Sequence, residues 1–319
     1  MSAIGAYTIW GVFPLYWRML SDVPALELVA HRVVWSTVFL VVAITALRLG
    51  ESPLGLELAG RPRHRRGQAE ARPHRIWLIS IFAAVAISIN WLSFVWAVNN
   101  GRVLESALGY YIAPLVSVGL GVVVMKERLS RWQWLAIIVA GLGVTCIAIS
   151  NGAMPWVSIA MAVSFAIYGL LKKHVPASAL GGLLMENIVL CGPAIIYLFF
   201  LSRTDVGTMG RSGWVTDLLI IGGGIVTVPP LMLFAVAARR VSLSTVGVLQ
   251  YIGPTLQFLL GVQVGESLSP GRLFGFMLVW AGSVVYIMLA HLAFRRSRVV
   301  SSEGDPDSMT GRAIAIESR

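Results

Sequence analysis

Long apolar runs separated by short polar segments dominate this chain of 319 residues. Runs such as Trp134–Ile149 and Val241–Val264 approach or exceed the roughly 20 mostly apolar residues that a membrane-spanning helix needs. The pattern predicts an all-α polytopic membrane protein with ten transmembrane helices. We place these helices at roughly residues 3–20, 25–47, 76–98, 104–125, 132–149, 155–171, 181–201, 214–237, 242–264 and 272–293.

The composition agrees with a membrane protein. Hydrophobic residues make up 57% of the chain and charged residues 13%, and the mean hydropathy is +0.78. Soluble domains have about 45–50% apolar and about 25% charged residues. The apolar positions form continuous runs and not the ten-residue alternation of a transmembrane barrel, so a helical bundle is favoured.

The basic residues are distributed unevenly between the two sides of the predicted bundle. If the N-terminus is cytoplasmic, 19 of the 25 Lys and Arg residues fall in inner segments, including a basic loop at 48–75. Cytoplasmic loops of membrane proteins carry an excess of Lys and Arg. We therefore expect a multi-pass protein of the cytoplasmic membrane with both termini inside. The net charge of +10 reflects this orientation, and no nucleic-acid partner is expected.

The two halves of the chain share short matched segments in the same order. Ala6–Val12 matches Ser164–Leu170, and Tyr111–Pro114 matches Tyr251–Pro254. The pattern predicts one repeat at 1–149, a second at 155–293 and a disordered cytoplasmic tail at 294–319. Because five helices per repeat is an odd number, the second repeat enters the membrane inverted. Inverted five-helix repeats are typical of secondary transporters that work by alternating access.

A wider set of motifs resembles a known family. The segments are His31-Arg32, Asn90-Trp91, Trp96–Asn99, Leu108–Tyr110, Ile112–Leu115, Ile225–Pro229 and Gln250–Thr255. Together they resemble the RarD branch of the EamA transporters, within the drug/metabolite transporter superfamily. The resemblance implies a ten-helix inner-membrane permease. The RarD name is attached to chloramphenicol sensitivity, but the resemblance leaves the physiological substrate open.

Ionisable residues near the helix ends are candidates for gating or a proton relay. Glu27, His31 and Arg32 lie early in the second helix, and Glu186 is the equivalent of Glu27 in the second repeat. Ionisable groups within a membrane usually face a bundle interior or a wet cavity. We expect Glu27 and His31 to line the outer mouth of the pathway. Static ion pairing with Arg32, or capping of helix ends, is the structural alternative.

Prolines predict helix breaks near the middle of the membrane. Pro114 and Pro254 remove hydrogen bonds to the carbonyls of Tyr110 and Gln250, so these turns are expected to face a central cavity. Pro229 and Pro230 follow a glycine triplet, a segment expected to be the least regular in the chain and a hinge. The structural alternatives are simple kinks and close helix packing.

Aromatic and amide side chains in several helices predict a cavity that binds planar or cationic groups. The candidate substrate-binding residues are Tyr7, Trp10, Asn90, Trp91, Tyr110, Tyr111, Gln250 and Tyr251.

The chain lacks the sequence motifs of the common alternatives. There is no GxxxxGK[ST] loop for ATP, no HExxH and no GxSxG. Cys146 and Cys191 lie in apolar runs and are expected to pack rather than to bind metal. We therefore expect a secondary transporter of a small molecule in the lipid bilayer, without enzymatic activity, cofactor or metal. A membrane-embedded enzyme and a scaffold or sensor without transport are the alternatives. Coupling to H⁺ and assembly as a homodimer are compatible with the sequence.

Overall fold

The chain forms a bundle of α-helices in the computed structural model, which describes residues 1–49, 73–100, 103–151, 156–174, 179–204, 206–263 and 269–303. These residues contain eleven helices and no β-strand. The helices are α1 Ser2–Arg18, α2 Ala25–Leu49, α3 Pro73–Asn99, α4 Val103–Val123, α5 Arg131–Asn151, α6 Trp156–His174, α7 Ala179–Ser202, α8 Trp214–Arg240, α9 Leu243–Leu249, α10 Ile252–Gln263 and α11 Pro270–Glu303.

Eight segments of the described chain are long and apolar enough to cross a membrane. One of them, Leu243–Leu260, contains α9 and most of α10, and Leu108–Val123 in α4 is a shorter apolar helix. The helix α1 is also short, with 17 residues. The protein is thus an all-α, multi-pass membrane protein.

The observed helices follow the predicted ones, with two differences. The predicted ninth helix is divided into α9 and α10. The helix α11 continues to Glu303, so the prediction of a disordered tail from residue 294 is wrong for residues 294–303. Neither Gly nor Pro occurs between Phe294 and Glu303, so nothing in that sequence stops the helix. The remainder of the predicted tail and most of the basic loop at 48–75 lie outside the described residues.

Helices of the two halves pack against each other rather than forming separate bundles. The largest buried cluster contains residues from α1, α2, α3, α6, α7, α8 and α9. The helices α5 and α11 pack closely through glycines, since a Cβ on Gly143 would lie 2.5 Å from the carbonyl oxygen of Gly275. Many large apolar side chains, such as Phe82 and Phe200, are exposed, as expected of a lipid-facing surface.

The bundle has two ends, which we name by their connections. The α1–α2 end carries the connections at residues 19–24 and 203–213. The α4–α5 end carries the connections at residues 124–130 and 241–242.

Candidate functional site

A cavity of about 480 Å³ lies inside the bundle. Residues of α1, α2, α3, α4, α6, α8 and α10, and the interruption between α9 and α10, line it. It reaches the surface at the α1–α2 end, where the exposed Ser21 is part of its wall. Ligand cavities of about 300–1,000 Å³ with a mainly apolar lining and a few polar groups are typical binding sites.

Six of the eight predicted substrate-binding residues line this cavity. They are Tyr7, Trp10, Asn90, Trp91, Tyr110 and Gln250. They come from α1, α3, α4 and the α9–α10 interruption, so side chains that are far apart in the sequence lie at one cavity.

The other two predicted binding residues pack elsewhere. Tyr111 and Tyr251 belong to a buried cluster with Phe276 and are not part of the cavity wall. Tyr111 donates a hydrogen bond to the carbonyl of Pro254 at 3.3 Å. Successive residues of a helix point in different directions. Tyr110 and Gln250 therefore reach the cavity, whereas the residues that follow them, Tyr111 and Tyr251, do not.

An aromatic cluster closes the inner part of the cavity. It consists of Tyr7, Trp10, Phe165, Tyr168 and Phe234. The rings of Tyr168 and Phe234 are stacked with centroids 5.8 Å apart, and Trp10 meets Phe165 at 5.9 Å. Tyr168 and Phe234 are buried and lie outside the cavity wall, so the cluster separates the cavity from the α4–α5 end.

The cationic side chain in the cavity wall is Arg32 of α2. Its Cζ lies 3.7 Å from the centroid of the Trp91 ring, which is a cation–π contact. Within the described part of the chain, its Nε and Nη2 atoms have no hydrogen-bond partner. The sequence suggested Glu27 as a partner of Arg32, but the structure gives the Glu27 carboxylate other partners.

Glu27 is buried and fixed by the connection between α7 and α8. Its carboxylate accepts hydrogen bonds from the backbone N–H groups of Thr208 and Met209 at 2.8 and 3.2 Å, and from the Thr208 hydroxyl. His31 lies 3.8 Å from it. Both residues lie near the α1–α2 end, as expected, but neither belongs to the cavity wall among the described residues. The expectation that they line the mouth therefore does not match this structure.

Glu186 of α7 lies beyond the aromatic cluster, nearer to the α4–α5 end. It accepts hydrogen bonds from the ammonium of Lys172 and from the hydroxyl of Tyr168, and all three side chains are buried. The helix predicted at 155–171 stops one residue before Lys172. The structure places it in the last turn of α6, buried with its partner.

The helix interruption lies at Gln250 and Tyr251. In a regular helix the carbonyl of Gln250 would accept a hydrogen bond from the residue four positions later. That residue is Pro254, which has no N–H to donate and whose ring displaces the carbonyl. That carbonyl is not left free, because it accepts a hydrogen bond from the N–H of Gly253 at 3.2 Å. The hydroxyl of Thr255 bonds to the Tyr251 carbonyl at 2.7 Å, so the break is stabilised from within.

The other predicted break points are continuous. The helix α4 passes through Pro114, and α8 passes through Pro229 and Pro230 from Trp214 to Arg240. The prediction that the α8 segment is irregular is therefore wrong. Proline fixes φ near −65°, a helical value, and spanning helices tolerate it where neighbouring helices surround it. The glycines before it pack closely instead, since a Cβ on Gly224 would lie 2.5 Å from the Cβ of Trp35.

Sequence reasoning did not single out Glu127, which joins the two halves at the α4–α5 end. Its carboxylate accepts hydrogen bonds from the N–H groups of Leu243 and Ser244 at 2.6 and 3.0 Å, and from the Ser244 hydroxyl. The ammonium of Lys173 lies 3.6 Å away. Burial alone would raise the pKa of Glu127. The hydrogen bonds from Ser244 and Leu243, with the charge of Lys173, hold the pKa below its usual value.

The repeat match of Glu127–Ser130 with Glu266–Ser269 was the signal that could have found this residue. In the sequence, both carboxylates precede a predicted helix by a few residues, and a carboxylate near helix starts is suited to accept their free N–H groups. We name the contacts of Glu127 with Leu243, Ser244 and Lys173 the Glu127 clamp.

Comparisons with known proteins agree with this architecture. The model of the EamA-like transporter family matches residues 1–149. The chain is 42% identical to protein RarD of Streptomyces exfoliatus over 92% of this chain and 89% of that one. It is 39% identical to protein RarD of Escherichia coli (strain K12) over 92% of this chain and 95% of that one.

A solved crystal structure shares the fold. It matches 91% of this chain and 96% of its own, with a TM-score of 0.66 and 17% sequence identity. At that identity the likeness shows the fold alone. The family assignment depends on the sequence matches, which extend over nearly the whole chain. The chain therefore belongs to the RarD branch of the EamA-like transporter family of membrane proteins.

Proposed function

We propose that this protein is a secondary transporter that moves a small organic molecule across the cytoplasmic membrane by alternating access. The observation that carries the proposal is the cavity between helices of both halves, open at the α1–α2 end and closed toward the α4–α5 end. Its six polar or aromatic residues predicted from sequence are the proposed substrate contacts. A transporter site is expected at this position, between two halves of the bundle.

The proposed topology has ten crossings arranged as two inverted repeats, with both termini cytoplasmic. In this arrangement α9 and α10 are two parts of one crossing, and the α1–α2 end faces outward. The matched segments Ala6–Val12 and Ser164–Leu170 support the repeat, because both contribute to the aromatic cluster through Tyr7, Trp10, Phe165 and Tyr168. The excess of Lys and Arg on the α4–α5 side supports the orientation.

In the proposed transport step, the closed α4–α5 end opens and the open α1–α2 end closes. Three layers close the α4–α5 end in this structure: the aromatic cluster, the pair of Lys172 with Glu186, and the Glu127 clamp. Delivery to the cytoplasmic side requires these contacts to separate. The contact of Glu27 with Thr208 and Met209 is then the counterpart that holds the outer end together.

Proton coupling is part of the proposal, with His31 and Glu186 as the titrating candidates. His31 lies beside Glu27 near the outer end, and Glu186 lies with Lys172 near the inner end. Histidine has an ordinary pKa near 6.5, so its charge changes close to physiological pH. Flux that depends equally on pH in wild type, His31→Gln and Glu186→Gln would remove both residues from the coupling step.

The test is accumulation of solutes by the purified protein in liposomes. A mixture of small organic metabolites is added outside, and the solutes retained inside are identified by mass spectrometry. We expect selective accumulation by wild type and its loss in Gln250→Leu, which removes a polar contact from the cavity. The matched control is Asn100→Leu, which removes an exposed amide at the end of α3.

The outcomes separate the alternatives. Wild type that binds a solute without moving it would contradict transport and favour a sensor. Conversion of a solute into a product would favour a membrane-embedded enzyme. Equal accumulation by wild type and Gln250→Leu would remove Gln250 from the substrate contacts.

A further inference from the structure

Arg32 gives the cavity a positive charge that no described neighbour balances. The described residues of the cavity wall include no Asp or Glu. The nearby carboxylate of Glu27 is occupied by Thr208 and Met209. A cation in a largely apolar cavity is costly unless a counter-charge or a polar partner compensates it. An anionic ligand in the cavity would therefore supply the missing counter-charge.

The orientation of the guanidinium indicates which kind of anion fits. One face of the Arg32 group lies on the Trp91 ring at 3.7 Å. Its Nε and Nη2 donors lie in the plane and lack partners among the described residues. Two adjacent donors in one plane match the two oxygens of a carboxylate in a bidentate pair. Both atoms are buried, and because Trp91 covers a face of the group, it is this unpartnered edge that a ligand carboxylate would pair with.

The remaining wall indicates the body of the ligand. Aromatic rings from several directions face the cavity: Trp10, Phe13, Trp17, Phe94 and Phe165. Rings favour offset or edge contacts with another planar ring. Asn90 and Gln257 donate their amide N–H groups to the carbonyls of Met161 and Trp10. An amide oxygen can also accept a hydrogen bond from an O–H or N–H group of a ligand.

We infer that the cavity binds a small aromatic carboxylate, with its carboxylate on the edge of Arg32 and its ring among the aromatic side chains. This inference is based on the proposed function, because it names the substrate class of the same cavity. A substrate with a positive charge is disfavoured, since it would meet Arg32 without a carboxylate to balance it. A neutral analogue loses the charge-assisted hydrogen bonds but keeps the ring contacts.

Three probes of one shape and different charge test this inference. They are 4-hydroxybenzoate, 4-hydroxybenzamide and 4-hydroxybenzylamine, which are anionic, neutral and cationic. Their affinities for the wild-type protein in lipid nanodiscs are measured by equilibrium dialysis. We expect the acid to bind at least about tenfold more tightly than the amide, since charged hydrogen bonds are about twice as strong as neutral ones. The amine should bind most weakly.

Variants assign the preference to Arg32. In Arg32→Gln the acid and the amide should bind equally, whereas Arg32→Lys should retain part of the preference. The matched control is Arg203→Gln, because Arg203 also lies over an aromatic ring, Phe199, at 4.8 Å but outside the cavity wall. This control should keep the wild-type preference for the acid.

The wild-type probe series decides the inference even if an Arg32 variant fails to insert. An amide that binds as tightly as the acid overturns it, and so does failure of all three probes to bind. If liposomes still accumulate a neutral or cationic solute, only the substrate class is wrong. If they accumulate nothing, the proposed function fails as well.

Discussion

At the residue scale, carboxylates at the two ends of the bundle accept hydrogen bonds from the backbone of a distant segment. Glu27 receives the N–H groups of Thr208 and Met209, and Glu127 receives those of Leu243 and Ser244. A hydrogen bond to a charged group contributes about 1.5–3 kcal/mol, more than a neutral one. Each carboxylate therefore stabilises one end of the bundle and is suited to open or close with it.

The Glu127 clamp predicts a stability change with pH. The pKa of Glu127 is lowered in the folded protein, so its contribution to stability is present above the ordinary value of 4.5 and is lost as pH falls through the lowered pKa. We expect Glu127→Gln to reduce the free energy of unfolding by on the order of 1 kcal/mol at neutral pH. The difference from wild type should shrink as the pH falls below 4.5.

The measurement is the midpoint of thermal unfolding in detergent, for wild type and variant over a series of pH values. Asp22→Asn is the control, because Asp22 is exposed and, among the described residues, its carboxylate has one long contact of 3.5 Å, from Ser21. A difference between wild type and Glu127→Gln that stays constant with pH would show that the charge of Glu127 does not stabilise the clamp.

At the element scale, glycines decide how closely α8 approaches α2. A Cβ on Gly224 would lie 2.5 Å from the Cβ of Trp35 and 2.7 Å from the backbone N of Ser36. The hydroxyl of Ser36 donates to the Gly224 carbonyl at 3.0 Å across the same contact. Small residues that bring two backbones together are typical of helix contacts in membranes. The glycine triplet of α8 thus serves close packing and not a break in the helix.

Gly224→Ala should therefore destabilise the protein. Backbone atoms of α2 would have to move, and overpacking of this kind costs about 1–3 kcal/mol. Gly119→Ala in α4 is the matched control, since a Cβ there meets no atom within 4 Å. Gly to Ala at an open helical site stabilises by about 0.5–1 kcal/mol. Thermal midpoints of both variants in detergent test the pair, and equal shifts would contradict the packing explanation.

The sequence predicted these elements where apolar periodicity and length were sufficient, and it failed where neighbours decide the outcome. Continuous apolar runs located the helices, because a bilayer demands them. Prolines did not locate the breaks. The chain is interrupted four residues before Pro254 but continues through Pro114 and Pro229, since contacts with other helices determine whether a kink opens. The backbone N–H groups that Glu27 and Glu127 accept lie more than 100 residues away along the chain, so no local pattern could identify them.

At the scale of the whole molecule, the two ends of the bundle differ in closure. The cavity wall includes Leu20 and Ser21 at the α1–α2 end. Toward the α4–α5 end, the aromatic cluster, the buried pair of Lys172 with Glu186 and the Glu127 clamp lie in succession. Helices of both halves contribute to the aromatic cluster and to the Glu127 clamp, whereas Lys172 and Glu186 both belong to the second half. Opening the closed end therefore requires one half to move relative to the other, as in the proposed alternating access.

A disulfide across the closed end should stop transport without preventing binding. A Cβ on Gly121 of α4 would lie 2.7 Å from the Oγ of Ser244 of α9, so cysteines at both positions lie within reach of a disulfide. The double variant Gly121→Cys, Ser244→Cys is made in a protein with Cys146 and Cys191 replaced by Ser. Oxidation should hold the α4–α5 end shut and abolish solute accumulation in liposomes. Binding from the α1–α2 end should persist, because the cavity wall is untouched.

Reduction should restore accumulation, and the two single-cysteine variants control for the substitutions themselves. Unchanged accumulation in the fully oxidised protein would mean that α4 and α9 stay together during transport, and the proposed opening of this end would be wrong.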